Sequence, residues 1–196
     1  MAQQKRSKNT LLCMLSLLVV GSLWWSNVSA QHRGWWMQGG NRMAISSLQL
    51  RKHIIRPALS RYGLWDVNSE ELLMLTAAQE SKLGYYLRQL DDGPGLGPWQ
   101  MEEATFNWLR DGVSWSALAD HTPLKGKLAT DMVYDLRLAA LAARLRYYVD
   151  PAPLPQWHDV EGLAKYWKRV YNTSAGAGRW DEAAQAYRYY VVEGKQ

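Results

Sequence analysis

The sequence predicts a mainly α-helical domain with at most a short β-hairpin. Apolar residues recur at helical spacing over most of the chain, and no stretch alternates with period two for long. Hydrophobic residues make up 47% and charged residues 21%, which is typical of a globular protein. A length of 196 residues suits one domain with its own core. We therefore expect a single domain over residues 43–196.

Residues 1–30 have the pattern of an export signal. A basic segment, Lys5-Arg6-Ser7-Lys8, precedes an uncharged apolar run over residues 10–25, and Val28-Ser29-Ala30 supplies small residues where a signal peptidase cuts. The apolar run is shorter than the roughly 20 residues of a typical membrane span, so we expect cleavage and export to the periplasm. The alternative is an uncleaved anchor that associates with the inner membrane and holds the domain on its outer face. Residues 31–42 have no period and are predicted to be a linker.

The helices follow from periodicity and capping residues. The first is expected between about residues 43 and 62, divided by Pro57. Asn68 is predicted to cap the second, with Glu71 completing a capping box. Later N-caps are predicted at Asp159 and Asp181. The remaining helices are expected over residues 102–110, 114–118, 129–148, 160–171 and 181–190, and the only strands between 85 and 101.

Several classes of function are excluded by composition. Cys13 is the only cysteine, so no internal disulfide is expected. The four histidines lack a metal-binding spacing, and we expect neither a metal nor a cofactor. The net charge is +5, but three of these charges precede residue 30, so no nucleic-acid partner is expected. Neither a nucleophilic serine motif nor a phosphate-binding loop is present.

Carboxylate chemistry is what remains, and Glu80 is its best candidate. Glu80 lies at the end of an apolar helix that terminates near Gly84, and a Gly/Pro-rich loop over residues 91–98 follows. A carboxylic acid at the end of a buried helix, faced by such a loop, makes a general acid with a raised pKa. The alternative is an ordinary solvated glutamate at a helix end.

The residues around Glu80 also resemble a known signature. Glu80-Ser81, then Gly97-Pro98-Trp99-Gln100-Met101 and Ala104-Thr105, resemble the motif of lytic transglycosylases and goose-type lysozymes. The run from residue 51 to residue 102 is similar to small lysozyme-like proteins of bacteriophages and prophages. The chain departs from the motif at Pro98-Trp99, where the family has Leu-Met, and at Glu102-Glu103, where it has Met-Pro.

The resemblance implies a lysozyme-like fold and an enzyme of cell-wall degradation. It would cleave the β-1,4 bond between N-acetylmuramic acid and N-acetylglucosamine in the glycan strands of peptidoglycan, for example in phage lysis. Glu80 would protonate the glycosidic oxygen and, in a lytic transglycosylase, then act as base while a 1,6-anhydro ring closes.

The candidate substrate-binding residues are Ser81, Gly97, Trp99, Gln100, Tyr171 and Asn172. By resemblance, Ser81 would orient Glu80, Gly97 would let the loop approach the sugar and Gln100 would lie along the cleft. A partial match to a later family motif would make Tyr171 reach towards Glu80 and Asn172 brace the loop. Trp99 is not part of the motif, but its flat apolar face suits a sugar ring.

Two alternatives stay open. A second acid, Asp91 or Asp92, would activate water and make the enzyme a hydrolase, although Asp-Asp-Gly-Pro is also an ordinary turn. A catalytically weak wall-binding module with the same fold, or a membrane-anchored helical scaffold, would use Glu80 little or not at all.

Overall fold

The computed structural model describes residues 44–118, 122–173 and 176–194. Within these ranges the chain is mainly helical and contains one two-stranded antiparallel sheet, which confirms the predicted fold class at the level of secondary structure. No helix in these ranges has the length and apolar character needed to cross a membrane. The predicted signal and linker segments, residues 1–42, lie outside the described residues.

The first helical run is divided at Pro57, as predicted. It consists of α1 (Ser47–Gln49), a π-helical turn (Leu50–Ile55) and α2 (Arg56–Ser60). Proline has no N–H to donate to the preceding turn, and the wider π turn lies directly before it. The run ends in a turn at Gly63, whose φ of +68° favours glycine.

The N-terminus of α3 (Val67–Ser81) corrects the predicted cap. The N-cap is Asp66, whose side chain accepts a hydrogen bond from the Ser69 N–H (2.9 Å), while Ser69 Oγ accepts from the Asp66 N–H (3.0 Å). Asn68, the predicted cap, lies in the first turn, and its Oδ1 accepts from the distant Trp157 N–H (2.8 Å). Both residues suit an N-cap, and the reciprocal hydrogen bonds with Ser69 are made by Asp66.

The expected hairpin follows a 3₁₀ turn (Leu90–Asp92). Strand β1 (Gly95–Leu96) pairs antiparallel with β2 (Met101–Glu102), with Gly95 opposite Glu102. Helix α4 (Glu103–Asp111) begins directly after β2 and ends at Gly112, as predicted. The hairpin is short, as the sequence indicated.

The predicted helix over residues 129–148 is two elements instead of one. A 3₁₀ helix (Ala129–Val133) is followed by α5 (Leu136–Tyr148). Asp135 interrupts the run because its side chain accepts hydrogen bonds from two backbone N–H groups of the first turn of α5 (3.1 and 3.0 Å). Residues 114–118 form turns, not the predicted short helix.

The last two helices each continue into a π-helical turn: α6 (Val160–Trp167) into Lys168–Asn172, and α7 (Trp180–Tyr187) into Arg188–Val192. Asp159 caps α6 as predicted, accepting from the Gly162 N–H (2.8 Å). Asp181 lies inside the first turn of α7, whose N-cap position is Arg179, so that predicted cap was wrong by two residues.

Helix α3 lies at the centre of the domain. Helices α5, α6 and α7 all pack against it, and from Ser69 to Ser81 every residue except the half-buried Gln79 is buried. A helix covered on all sides shows little amphipathic pattern. Inside this packing, the Thr76 and Tyr147 hydroxyls are 2.7 Å apart and join α3 to α5.

A partly buried ion-pair network, in which Glu70 is buried and Arg56 is exposed, fixes the start of α3. Arg51 forms ion pairs with Glu70 and Glu71, and Arg56 donates to Glu70 (2.7 Å). The Tyr187 hydroxyl donates to Glu71 (2.5 Å). Removing one partner of a buried charge network is costly because the other charge stays desolvated. The network therefore holds the first helical run and α7 against α3.

The loop between the two strands packs closely on the 3₁₀ helix at Gly97. Its φ is +70°, and a Cβ there would lie 2.8 Å from the carbonyl oxygen of Met132. Gly126 has the same backbone conformation, with φ +72°, but nothing lies within 4 Å of its would-be Cβ. A comparison of substitutions at the two glycines therefore separates the cost of a left-handed backbone from the cost of close packing.

Gly97→Ala is expected to destabilise the protein more than Gly126→Ala. Both substitutions pay for a left-handed backbone, about 1–2 kcal/mol, but only Gly97→Ala adds a clash with backbone. Urea unfolding of the two variants measures the difference. Equal losses of unfolding free energy would contradict the close approach at Gly97.

Candidate active site

Glu80 is the penultimate residue of α3, and the helix ends directly after it. Lys82 and Leu83 have left-handed backbone, with φ of 55° and 59°, and the Leu83 N–H donates to the carbonyl of Ala77 (2.9 Å). This is a common way for a helix to end. It leaves Glu80 on the last turn, where only 6% of its surface is exposed.

One carboxylate oxygen of Glu80 is held, and the other is free of hydrogen bonds. The indole Nε1–H of Trp167, the last residue of α6, donates to Glu80 Oε1 (3.0 Å). No donor among the described residues reaches Oε2. The side-chain oxygens of Gln79 and Gln100 are fully buried and lack a partner, but Oε2 of Glu80 is not among such atoms. Because it has no hydrogen-bond donor among the described residues and is not fully buried, Oε2 keeps contact with solvent.

Burial raises the pKa of Glu80 from 4.5 to about 8. The Trp167 hydrogen bond lowers this pKa in part, because it stabilises the charged form, and the nearby Glu102 carboxyl raises it further. Glu80 is therefore protonated at neutral pH. A protonated carboxyl group with one accessible oxygen is suited to general acid catalysis.

Glu102 is a second carboxylate close to Glu80. In the sequence it was only a departure from the motif and the first residue of a predicted helix. It ends β2, is half-buried, and its pKa is raised by burial. No hydrogen bond is made to its side chain by the described residues. Its place two residues after Gln100, on the second hairpin strand, was the signal in the sequence that could have identified it.

Asp91 and Asp92 do not occupy that place. Both are exposed on the 3₁₀ turn before β1, with φ of 59° and 58°. The carboxylate whose charge acts on Glu80 is Glu102. A second acid at Asp91 or Asp92 stays a prediction, because an exposed carboxylate can still meet a bound glycan and activate water.

Ser81, Gly97 and Trp99 lie inside the protein, and their predicted part in substrate binding stays a prediction. Ser81 Oγ donates to the carbonyl of Pro98 (2.6 Å), and the Trp99 indole, 1% exposed, donates to the carbonyl of Leu73 (2.9 Å). Gly97 is buried against Met132. These residues attach the loop to the end of α3 and so shape the site from within.

Gln100 does present an unused polar atom. Its Nε2 donates to the carbonyl of Gly97 (2.6 Å), and its Oε1 is buried without a partner, 2.8 Å from the position of a Cβ on Gly95. Its φ of 46° is uncommon for a residue other than glycine. A strained backbone and an unsatisfied acceptor are both typical of functional positions.

Tyr171 reaches the loop rather than the carboxyl group of Glu80. Its hydroxyl donates to the carbonyl of Trp99 (2.8 Å), and its ring stacks on Tyr147 with centroids 5.3 Å apart. The residue that bonds to the carboxyl group is Trp167, four positions earlier. No signal in the sequence distinguished Trp167, because it is one of eleven tryptophans.

Asn172 and Tyr86 contact the backbone around the site. Asn172 Oδ1 accepts from Lys168 Nζ (2.7 Å), and Lys168 also donates to the carbonyl of Gly176 (2.6 Å), so Asn172 helps to brace the segment after α6. The Tyr86 hydroxyl donates to the backbone carbonyl of Glu80 (2.7 Å). Tyr86 is a further residue of the candidate site that was not predicted from the sequence.

Other features of the described chain lie apart from Glu80. It contains no group of three or more histidine, cysteine, aspartate or glutamate side chains that could hold a metal ion. A cavity of about 670 Å³ lies at the far end of α4, between Arg110, Trp115 and Lys125, and none of its lining residues belongs to the site around Glu80.

Comparisons with known proteins do not assign this site to a family. The chain matches no family model, and no similar protein was found among curated proteins or solved structures. The function therefore has to be argued from the geometry of the site and from the short motif that contains Glu80.

The raised pKa of Glu80 predicts a pH-dependent gain of stability in Glu80→Gln. Folded Glu80 keeps its proton at pH values where the unfolded chain has lost it, so this group costs stability as pH rises from 4.5 to about 8. The stability advantage of Glu80→Gln over the unsubstituted protein should grow by about 1.4 kcal/mol per pH unit across that window. Urea unfolding at several pH values measures it, and a constant difference would show that folded Glu80 is ionised.

Proposed function

We propose that the protein cleaves the β-1,4 glycosidic bond between N-acetylmuramic acid and N-acetylglucosamine in peptidoglycan, with Glu80 as the general acid. The observation that carries the proposal is the state of Glu80: buried, with a pKa of about 8, and held through one oxygen only. The motif around Glu80 and Gln100 supports peptidoglycan as the substrate. A mainly helical domain whose hairpin follows the central helix supports a lysozyme-like fold.

The first chemical step is proton transfer from Glu80 to the glycosidic oxygen. The C1–O bond of the N-acetylmuramic acid residue breaks, and positive charge develops on its ring as the leaving group takes the proton. Glu80 becomes a carboxylate in a site that disfavours charge. The Trp167 N–H offsets part of this cost because it donates to the carboxylate.

The second step returns a proton to Glu80. In a lytic transglycosylase the Glu80 carboxylate removes the proton of the C6 hydroxyl of N-acetylmuramic acid while the hydroxyl oxygen attacks C1, and a 1,6-anhydro sugar forms. This route needs no second carboxylate. The carboxylate with the higher pKa is also the stronger base, so one residue serves both steps.

Glu102 favours hydrolysis as the second candidate function. Its carboxyl group lies near enough to raise the pKa of Glu80, and no described residue donates a hydrogen bond to it. A carboxylate in this position could accept a proton from an attacking water molecule. Product analysis separates the two routes.

The glycan would meet the site at the hairpin. Gln100 is half-buried at the hairpin, and the motif would place it along the glycan. Its Oε1 is buried without a partner, so it would accept a hydrogen bond from an N-acetyl N–H or a sugar hydroxyl once the side chain turns outward. Export through the N-terminal segment, by cleavage or as an inner-membrane anchor, would bring the domain to the peptidoglycan.

Glu80→Gln is expected to abolish the release of soluble muropeptides from purified sacculi. Glutamine keeps the shape of the side chain but has no acidic proton, and general acid catalysis typically contributes about 10²–10⁴-fold. The full chain is assayed, with Glu103→Gln as the control because Glu103 is an exposed neighbour at the start of α4. Equal release by the Glu80→Gln variant, or no release by the unsubstituted protein, would contradict the proposed activity. The protein would then be a wall-binding module or a scaffold.

Mass spectrometry of the products is expected to show 1,6-anhydro-muramic acid ends. Glu102→Gln should then reduce the rate without changing the product. Reducing ends instead of anhydro ends would overturn the transglycosylase route, and their loss in Glu102→Gln would assign the activation of water to Glu102.

A further inference from the structure

Trp167 makes a hydrogen bond that can run in one direction only. The indole Nε1–H is a donor and has no acceptor lone pair, unlike a serine or tyrosine hydroxyl. Its partner, Oε1 of Glu80 at 3.0 Å, must therefore accept, whether Glu80 is charged or neutral. A proton on Oε1 in the plane of this hydrogen bond would clash with the indole N–H hydrogen.

The position of the indole is fixed by its packing. Trp167 is fully buried, and the backbone of Gly178 lies against the ring so closely that a Cβ on residue 178 would be 2.7 Å from Cη2 of Trp167. The side chain of Asn172 lies on the same glycine. The ring cannot turn away without moving this segment, so the direction of the N–H is set by the fold.

The other titratable groups around Glu80 do not donate to its carboxyl group. Tyr86, from the segment after α3, donates to the backbone carbonyl of Glu80 itself. Tyr147 on α5 shares its hydroxyl with Thr76, and Tyr171, on the π turn after α6, donates to the carbonyl of Trp99. Glu102 on β2 is the one acidic group among them.

We propose that Trp167 is a positioning residue that directs the transferable proton of Glu80 to Oε2, the oxygen that keeps contact with solvent. Its importance for catalysis rests on the proposed function, but its effect on the carboxyl group does not. Trp167 touches no reacting atom of the substrate. It fixes the rotation of the carboxyl group and determines which oxygen faces the glycosidic bond.

Trp167→Phe tests the proposal, with Trp99→Phe as a matched control. Both tryptophans are buried and each indole donates one hydrogen bond, at 3.0 and 2.9 Å, but only Trp167 donates to Glu80. Loss of the Trp167 N–H removes a bond that favours the carboxylate, so the pKa of Glu80 should rise. Activity requires protonated Glu80. In Trp167→Phe, the alkaline pH at which activity is lost should therefore increase.

The expected result for Trp167→Phe is a fall in kcat of about 10- to 100-fold, with little change in KM, because the acid is misdirected while the glycan still binds. Trp99→Phe should lower stability but leave the alkaline limb of the pH profile in place. The proposal would be overturned if the alkaline limb of the pH profile did not move in Trp167→Phe, or if it moved equally in Trp167→Phe and Trp99→Phe.

A measurement on the unsubstituted full chain does not depend on either activity or the folding of Trp167→Phe. The indole N–H resonance of Trp167 in a ¹⁵N-labelled sample should titrate with Glu80, and this titration should disappear in Glu80→Gln. It should persist in Glu102→Gln, which excludes the neighbouring acid as its source. An indole resonance that does not follow Glu80 refutes the positioning role, whereas inactivity towards sacculi with an intact titration refutes the proposed function alone.

Discussion

The burial of one carboxyl group is the constraint on which the rest of the site depends. Ionised Glu80 would carry a charge in a region with few partners, and desolvation of an unpaired charge costs several kcal/mol or more. The group responds by keeping its proton, which moves its pKa to about 8. The packing that covers Glu80 therefore also keeps it protonated at neutral pH, and the single Trp167 hydrogen bond only partly offsets the rise in its pKa.

The fold maintains this burial through contacts at both ends of α3. At its start, the ion pairs of Arg51 and the Tyr187 hydroxyl fix the helix against its neighbours. At its end, Ser81 attaches the hairpin loop through the carbonyl of Pro98, and Tyr86 donates to the backbone of Glu80. The carboxyl group is thus placed by a rigid frame, which a general acid requires because small displacements reduce the rate.

Polar groups close to Glu80 divide into those that build the site and those left free. The hydroxyls of Tyr171 and Ser81 and the indole of Trp99 are all used to hold backbone carbonyls. Glu102 and the Oε1 atom of Gln100 have no partner among the described residues. In a protein, unsatisfied polar groups beside a perturbed acid are the usual mark of a place for a ligand.

Local chemistry explains which predictions were confirmed. Pro57 divides the first helix because it has no N–H, Asp159 caps α6, and the helix that carries Glu80 ends at Ser81, where a Gly-bearing turn follows. The hairpin was found because its Gly/Pro-rich loop interrupts two helical patterns. Each of these features depends on residues within a few positions of one another.

Features that depend on distant residues were missed. Asp66 and Asn68 are both suitable caps, but Asp66 caps the helix and the Asn68 side chain accepts from the distant Trp157 N–H. Trp99 was a candidate for contact with a sugar ring, but the fold buries it, and its indole N–H donates to the carbonyl of Leu73. Asp91 and Glu102 are both carboxylic acids that follow Glu80 in sequence, yet the turn exposes the first and the strand brings the second close to Glu80.

The sequence by itself determined the mainly helical class, the hairpin and the choice of Glu80, because periodicity, capping and a short motif are local properties of the chain. Only the tertiary structure decided the hydrogen-bond partner of Glu80, which carboxyl group lies near it and how far its pKa is raised. Those three depend on how far a side chain is removed from water and on what lies across from it. Residues 80, 102 and 167 are far apart in sequence, and packing alone brings them together.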